Sequence, residues 1–189
     1  MPYLVLVRHS LPEIDPARPA RTWELSAEGR RRCAALAQQL APYVPARLSA
    51  SPEPKAAETA RLAGEQLGVS ATIVDGLEEH HRATSPFVGA EQFQRTIAAF
   101  FAEPERLVFG EETADEAEAR FSAALDGLLA AHPGHNHVVV AHGTVIALFV
   151  SRRAGVEPLG LWRQLGLPSL VALELPSYRV AALWSGPAA

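Results

Sequence analysis

The sequence is short of several things, and each shortage narrows what the protein can be. It has one cysteine, Cys33, in 189 residues. A lone thiol cannot close an internal disulfide, which agrees with a reducing compartment, and in a predicted helix it reads as a small packing residue. No segment approaches the roughly 18 unbroken apolar residues of a membrane span. Met1-Pro2 leads straight into an apolar strand pattern without the charged and apolar regions of a signal peptide, so a cytoplasmic location and no membrane partner are expected. An excess of positive charge is missing too: 17 Lys and Arg against 21 Asp and Glu give a formal net charge of -4. Nucleic acid and anionic lipid are therefore not expected partners, and an anionic ligand would need a local cluster of cations. There is no internal repeat and no low-complexity tract. What remains, 48% hydrophobic and 20% charged residues, suits one globular domain over 1-189, with nothing in it to fix an oligomeric state.

The chain is organised around Tyr3-Leu4-Val5-Leu6-Val7-Arg8-His9-Ser10, where an apolar run breaks into a cation, an imidazole and a hydroxyl. Consecutive large aliphatics suit a strand covered on both faces, as in a parallel sheet, and ligands in such sheets sit beyond the carboxyl ends of strands. Val138-Val139-Val140-Ala141 repeats the pattern and runs into His142-Gly143-Thr144. Two histidines are thus expected to face one crevice.

Between these strands the sequence alternates. Leu11 to Trp23 reads as a long loop above the crevice. Ser26 offers an N-cap to a crossover helix that Pro42 and Pro45 stop. Arg47-Leu48-Ser49 is a short strand, and Ser51-Pro52 reads as the cap and first turn of a helix to about Leu67, with Gly68 as its stop. Ala71 to Val74 is the next strand, and Asp75-Gly76 turns it into Leu77-Glu78-Glu79-His80-His81-Arg82. A helix follows from about Gly89 to Ala102. Thr113-Ala114-Asp115-Glu116 fits a capping box for a helix ending near His132-Pro133-Gly134. A helix from about Thr144 to Ala154 stops at Gly155, and Leu170 to Leu175 with Val180 to Trp184 form an antiparallel pair. The expected fold is α/β: a three-layer α/β/α sandwich with a largely parallel central sheet and that C-terminal antiparallel pair.

Three clusters at strand ends, Arg8/His9, Glu79/His80/His81 and His142/Gly143, gather the reactive side chains. Arg8 offers a planar fork to phosphate oxygens, and Gly143 lets an anion approach the free amides opening the next helix. Lys55 adds a second cation. Phosphoryl transfer needs positioning, charge neutralisation and a proton donor for the leaving oxygen, and this set supplies all three.

In that order and spacing the motifs resemble the histidine phosphatase superfamily, also called phosphoglycerate mutase-like proteins. Leu6-Val7-Arg8-His9-Ser10 looks like its Arg-His-Gly signature, and Leu25 to Arg30 like the helix opening after it. Ser49 to Ala60 is similar to its Ser-Ser-Pro segment, Leu77-Glu78-Glu79 to its acid motif, Glu112 to Arg120 to its late capped helix, and Val140 to Gly143 to its second histidine. The resemblance implies that His9 becomes phosphohistidine, that Arg8, Lys55, His142 and Gly143 bind the phosphoryl oxygens, and that Glu79 protonates the leaving alkoxide, then activates water. His9, Glu79 and His142 are the implied catalytic set, and no metal or other cofactor is implied. Ser10 stands where the family has glycine and Lys55 where it has arginine. The residues after Glu79 lack a glycine-containing pattern common in the mutases.

The implied activity is metal-independent hydrolysis of a small phosphomonoester. Alternatives are a phosphate-binding module with little turnover and a mutase-like phosphotransferase, the latter disfavoured by the short chain. Glu78 competes with Glu79 for the role of acid. Ser10 and His81 are candidate substrate contacts. His135 and His137 read as ordinary polar groups, Arg152-Arg153 as complements to a helix dipole, and Trp23, Trp162 and Trp184 as packing residues.

Overall fold

Six strands arise where the sequence is most continuously apolar: β1 (Tyr3–Arg8), β2 (Ala46–Ala50), β3 (Ala71–Ile73), β4 (Asn136–Ala141), β5 (Ser169–Glu174) and β6 (Arg179–Trp184). The computed structural model describes residues 1–44 and 46–187. The strands form one sheet in the order β3-β2-β4-β1-β5-β6. Pairs β2/β3, β2/β4 and β1/β4 are parallel, whereas β1/β5 and β5/β6 are antiparallel.

The layers follow from the period-two alternation of the central strands. On β1, Leu4 and Leu6 face one side of the sheet with Val139, Ala141, Val171 and Leu173. That side is covered by α3 (Ala90–Ala102), α4 (Ala114–Ala131), α5 (Gly143–Ala154) and α6 (Pro158–Gln164), which contribute Phe100, Phe121, Leu125, Phe149 and Leu161. Val5 and Val7 face the other side with Val138, Val140 and Ala172, beneath α1 (Ala27–Leu40) and α2 (Pro54–Leu67). Each fully buried Leu or Val contributes roughly 1.5–3 kcal/mol. Because β1 places four such side chains in the core, the strand that ends in Arg8 and His9 is anchored on both faces.

Several local expectations hold. Ser26 caps α1 by accepting from the Gly29 amide at 3.0 Å, Gly68 and Gly155 end α2 and α5 at φ of 69° and 70°, and Thr113 and Glu116 close a reciprocal capping box. Cys33 is buried on the inner face of α1. Pro45, expected to help end α1, lies outside the described residues. One expectation changes and one helix was not anticipated. Helix α2 begins at Pro54 with Glu53 as N-cap, because Pro54 rather than Pro52 takes the first turn, and this frees Ser51 for other work. Helix α6 escaped the pattern, since seven residues are too few to show a period, although Glu157 before Pro158 is its signal: Glu157 accepts from the amides of Leu159 and Gly160.

Topology sets the site. Parallel register places Arg8 opposite Ala141 and Ala50 opposite Val140, so the residues just past β1, β4 and β2 emerge side by side at one edge. The antiparallel β5 starts at that same edge, with Ser169 opposite Arg8.

Candidate active site

At the edge where β1 ends, His9 is nearly fully buried, and its Nδ1 lies 2.7 Å from the Ser10 carbonyl oxygen. A carbonyl only accepts, so Nδ1 carries the proton and Nε2 keeps its lone pair. Burial, with His142, Lys55 and Arg8 nearby, holds the imidazole well below its ordinary pKa and therefore neutral. Arg8 donates Nη1 to the Leu165 carbonyl at 2.5 Å and leaves Nε buried without a partner. Gly143 makes room for it: a Cβ there would stand 3.0 Å from Arg8 Nε. Burial lowers the guanidinium to about 10, still charged at neutral pH.

His142, beyond β4, is fully buried with its ring centroid 5.2 Å from that of His9. Burial first, then Lys55, Arg82 and Arg8, hold it neutral against the opposing pull of Glu79. Its Nε2 lies 2.8 Å from Ser51 Oγ, and its Nδ1 has no partner. Beneath it sits Glu53, a buried carboxylate that binds the Lys55 ammonium, accepts from the Glu79 amide at 2.9 Å and approaches His142 Nε2 to 3.6 Å. Lys55 also donates to the Ala20 carbonyl at 2.8 Å, tying the loop above the crevice to the start of α2. Its charge is thus matched by Glu53.

The third wall is the segment after β3. Glu79 turns its carboxylate toward the start of α5, accepting from the amides of Thr144 and Val145 at 3.2 and 3.3 Å and from that of His80 at 2.9 Å. Burial would raise its pKa, but Arg82, His142 and these amides outweigh burial and hold it below the usual carboxylate range. Glu78 points elsewhere, accepting from the Gly76 amide at 2.7 Å with Arg120 3.7 Å away. Arg120 fixes the segment by donating to the carbonyls of Gly76, Glu78 and Glu79 while pairing with buried Glu112 at 2.6 Å.

Of the residues singled out by sequence, the fold brings together Arg8, His9, Lys55, Glu79, His142 and Gly143. Ser10 is fully buried, donating Oγ to the Gly29 carbonyl at 2.7 Å and its backbone amide to the Thr59 hydroxyl at 3.0 Å. His81 is exposed, with Nδ1 3.6 Å from Glu112. Sequence reasoning passed over Ser51, Glu53 and Arg82. The signal for Glu53 was an acid between two prolines, two residues before Lys55. Arg82, three residues past Glu79, lies with its guanidinium carbon 5.0 Å above the Phe93 ring, and its Nη1 is buried without a partner. Arg8 Nε, Arg82 Nη1, His142 Nδ1 and Thr144 Oγ1 are all buried without a partner, a set that suits an oxyanion.

Two arginines, two neutral histidines and a carboxylate over a helix start make up a site suited to an anion. The profile of the histidine phosphatase superfamily (branch 1) matches residues 4–184, and the chain belongs to that family. Among solved structures it is similar to a mycobacterial glucosyl-3-phosphoglycerate phosphatase at 21% identity, covering 98% of this chain and 99% of that one with a TM-score of 0.78. It is similar to YhfR of Bacillus stearothermophilus at 18% identity, covering 100% and 98% with a TM-score of 0.78. A phosphoserine phosphatase of Entamoeba histolytica bound to phosphoserine shares 19% identity over 98% of both chains, with a TM-score of 0.76. No curated protein sequence matches the chain.

Proposed function

We propose that the chain is a metal-independent phosphomonoesterase for a small phosphorylated molecule, working through phosphohistidine. The observation that carries this reading is the His9 ring: its Nδ1 proton is committed to the Ser10 carbonyl, which leaves a neutral Nε2 lone pair in the company of His142, Lys55 and Arg8. The phosphoryl group binds with its oxygens on Arg8, on the free ring nitrogen of His142 and on the α5 amides that Glu79 otherwise caps. Displaced from those amides and faced with a dianion, Glu79 rises in pKa and takes up a proton. His9 Nε2 then forms a bond to phosphorus as the ester P–O bond breaks, and the departing alkoxide takes the Glu79 proton. In the second half Glu79 removes a proton from water as its oxygen bonds to phosphorus and the P–N bond breaks. Phosphate leaves, and His9 is neutral again. The similar structures of phosphatases acting on glucosyl-3-phosphoglycerate and phosphoserine support a small phosphomonoester as substrate. The single cysteine, buried and unpaired, supports a cytoplasmic setting.

The test is rapid-quench labelling with a phosphorus-labelled aryl phosphate in the presence of chelator. The wild-type protein is expected to carry an acid-labile, base-stable label and to release phosphate, and His9→Ala to lose both. Undiminished turnover in His9→Ala would remove the phosphohistidine, and turnover lost to chelation and restored by a divalent ion would replace the reading with a metal hydrolase.

A further inference from the structure

Of the chain's 17 Lys and Arg residues, Lys55 is the one lysine. Its place in the sequence suggests a phosphoryl ligand, but the fold gives its ammonium other partners. Buried Lys55 bonds Glu53 Oε2 and donates to the Ala20 carbonyl at 2.8 Å. Glu53 is buried as well, and its second oxygen accepts the Glu79 amide at 2.9 Å. That second oxygen explains the choice of lysine. A guanidinium meets a carboxylate as a fork, as Arg30 does with the two oxygens of Glu58 at 2.7 and 3.2 Å. At position 55 such a fork would engage both oxygens of Glu53 and compete with the Glu79 amide. A compact ammonium takes one oxygen and turns another N–H to Ala20.

The Ala20 contact matters because the loop has little else to hold it. Among the described residues, every other hydrogen bond made by residues 13–23 stays within 13–24. The Trp23 ring adds an apolar contact to Phe87, with centroids 6.4 Å apart. From Ala20, a run of contacts passes through Lys55 and Glu53 to the Glu79 amide and, at 3.6 Å, to His142 Nε2. We propose that Glu53 and Lys55 form a clasp that holds the loop over the crevice, and that Lys55 is a positioning residue which does not bind the phosphoryl group. Opposite charges in contact leave little field for a third, so the pair adds little attraction for an anion. The phosphoryl group is left to Arg8, His142 and the α5 amides. This rests on the phosphomonoesterase reading for the identity of the anion.

The test makes two measurements on the double variant Glu53→Gln with Lys55→Met. This exchanges the ion pair for two neutral side chains of similar length, which a fold tolerates better than the loss of one partner, and it keeps an acceptor for the Glu79 amide. Calorimetry with orthophosphate reads the anion site, and brief trypsin digestion reads the loop. Arg21, exposed and next to Ala20, offers trypsin a bond in the loop, and exposed Arg106 offers a reference bond elsewhere. Loss of a hydrogen bond to a charged group shifts an equilibrium roughly ten- to hundred-fold. Cleavage after Arg21 should rise by about that factor, while cleavage after Arg106 and the Kd for orthophosphate stay near their wild-type values. A Kd weakened by that factor puts Lys55 on the phosphoryl group and overturns the proposal. Unchanged cleavage after Arg21 overturns it too, and so does equal acceleration at both bonds, which means general loosening. A second measurement needs no variant, because wild-type protein labelled with nitrogen-15 lysine carries one side-chain ammonium signal. With orthophosphate bound, that signal is expected to keep its slow hydrogen exchange and to show no coupling to phosphorus. A nitrogen–phosphorus coupling through a hydrogen bond would place Lys55 on the anion and overturn the proposal. Neither measurement needs turnover, so failure of the phosphatase reading shows separately in the His9 labelling.

Discussion

Strand β4 carries a buried histidine at each end, and taken alone the two rings look alike. His137 and His142 are 1% and 0% exposed, each has Nε2 within reach of one oxygen, and each has an Nδ1 without a partner. Their surroundings separate them. At the carboxyl end, parallel strands discharge Arg8, His9, Ser51 and the Glu53–Lys55 pair around His142. At the amino end, His137 has His132 and His135 for company around a pocket closed by Pro2, Leu129, Leu175 and Pro176. No trio of metal-binding side chains is arranged to hold an ion there among the described residues. Burial and an open ring nitrogen do not make a catalytic histidine. What sets the two ends apart is that only at the carboxyl end do several chain segments bring cations and an acid to one point.

Exchanging either ring for a methyl group should pull the two ends apart, and this is the largest effect expected. His142→Ala removes a donor to the phosphoryl oxygens, so kcat/KM on an aryl phosphate should fall by about 10² to 10³. His137→Ala should leave kcat/KM within a few-fold while lowering stability by about 1–3 kcal/mol, the cost of vacating a buried site. Parallel kinetics and urea unfolding decide it. Equal activity loss at both ends would mean that His137 reaches the crevice through β4 itself and would dissolve the distinction drawn above.

Acid sharpens the comparison in the other direction, since here the two ends should behave alike. His137 and His142 are both held below the ordinary histidine pKa, with burial as the first cause in each, and so is His9. The unfolded chain takes up protons at these positions below about pH 6.5, while the folded chain does not. Stability is therefore greatest above that pH and falls as the solution is acidified. Each such histidine contributes up to about 1.4 kcal/mol per pH unit. Glu79 and Glu112, held below the carboxylate range, add to the loss only at lower pH, once the unfolded carboxylates protonate. Urea unfolding between pH 7.5 and 5.5, a window of about 2 units around the histidine pKa, should show the decline. His142→Gln and His137→Gln should each flatten it by one proton. An unchanged slope in either variant would mean that ring is already charged in the fold.

The sequence was most legible where one residue type had one physical reading. Apolar runs gave β1 and β4, capping residues gave the starts of α1 and α4, and glycines gave the stops of α2 and α5. His9, Arg8, Glu79 and His142 could be named because each stands at the end of a strand or shortly beyond a strand or turn. Ser51, Glu53 and Arg82 were harder, since their roles depend on partners far away in the chain. Ser51 meets His142 across 91 positions, Glu53 meets the Glu79 amide across 26, and nothing in the sequence says that Arg82 rests on Phe93. Ser10 shows the converse error: next to a reactive histidine it read as a substrate contact, yet its hydroxyl bonds the Gly29 carbonyl to join β1 to α1.

The smallest expected effect tests why the two histidines differ even in the partner of Nε2. His137 faces the His132 carbonyl at 3.2 Å, and a carbonyl can only accept, so Nε2 is protonated and the ring is fixed. His142 faces the Ser51 hydroxyl at 2.8 Å, which can donate or accept. Ser51 Oγ already accepts from the Glu53 amide at 3.3 Å. With its own proton directed to His142 Nε2, it leaves the His142 proton on Nδ1, the nitrogen free to bind a phosphoryl oxygen. Ser51→Ala removes that choice and lets Glu53, 3.6 Å away, draw the proton to Nε2. The ring would then turn a lone pair toward the phosphate. One hydrogen bond of this kind is worth about 1 kcal/mol, so kcat/KM should fall roughly five- to tenfold with little change in stability. Nitrogen NMR of the imidazoles should show His142 changing tautomer in Ser51→Ala while His137 does not. If His142 already carries its proton on Nε2 in the wild-type protein, Ser51 is an acceptor, and the phosphoryl group must find its donors on Arg8 and the α5 amides instead.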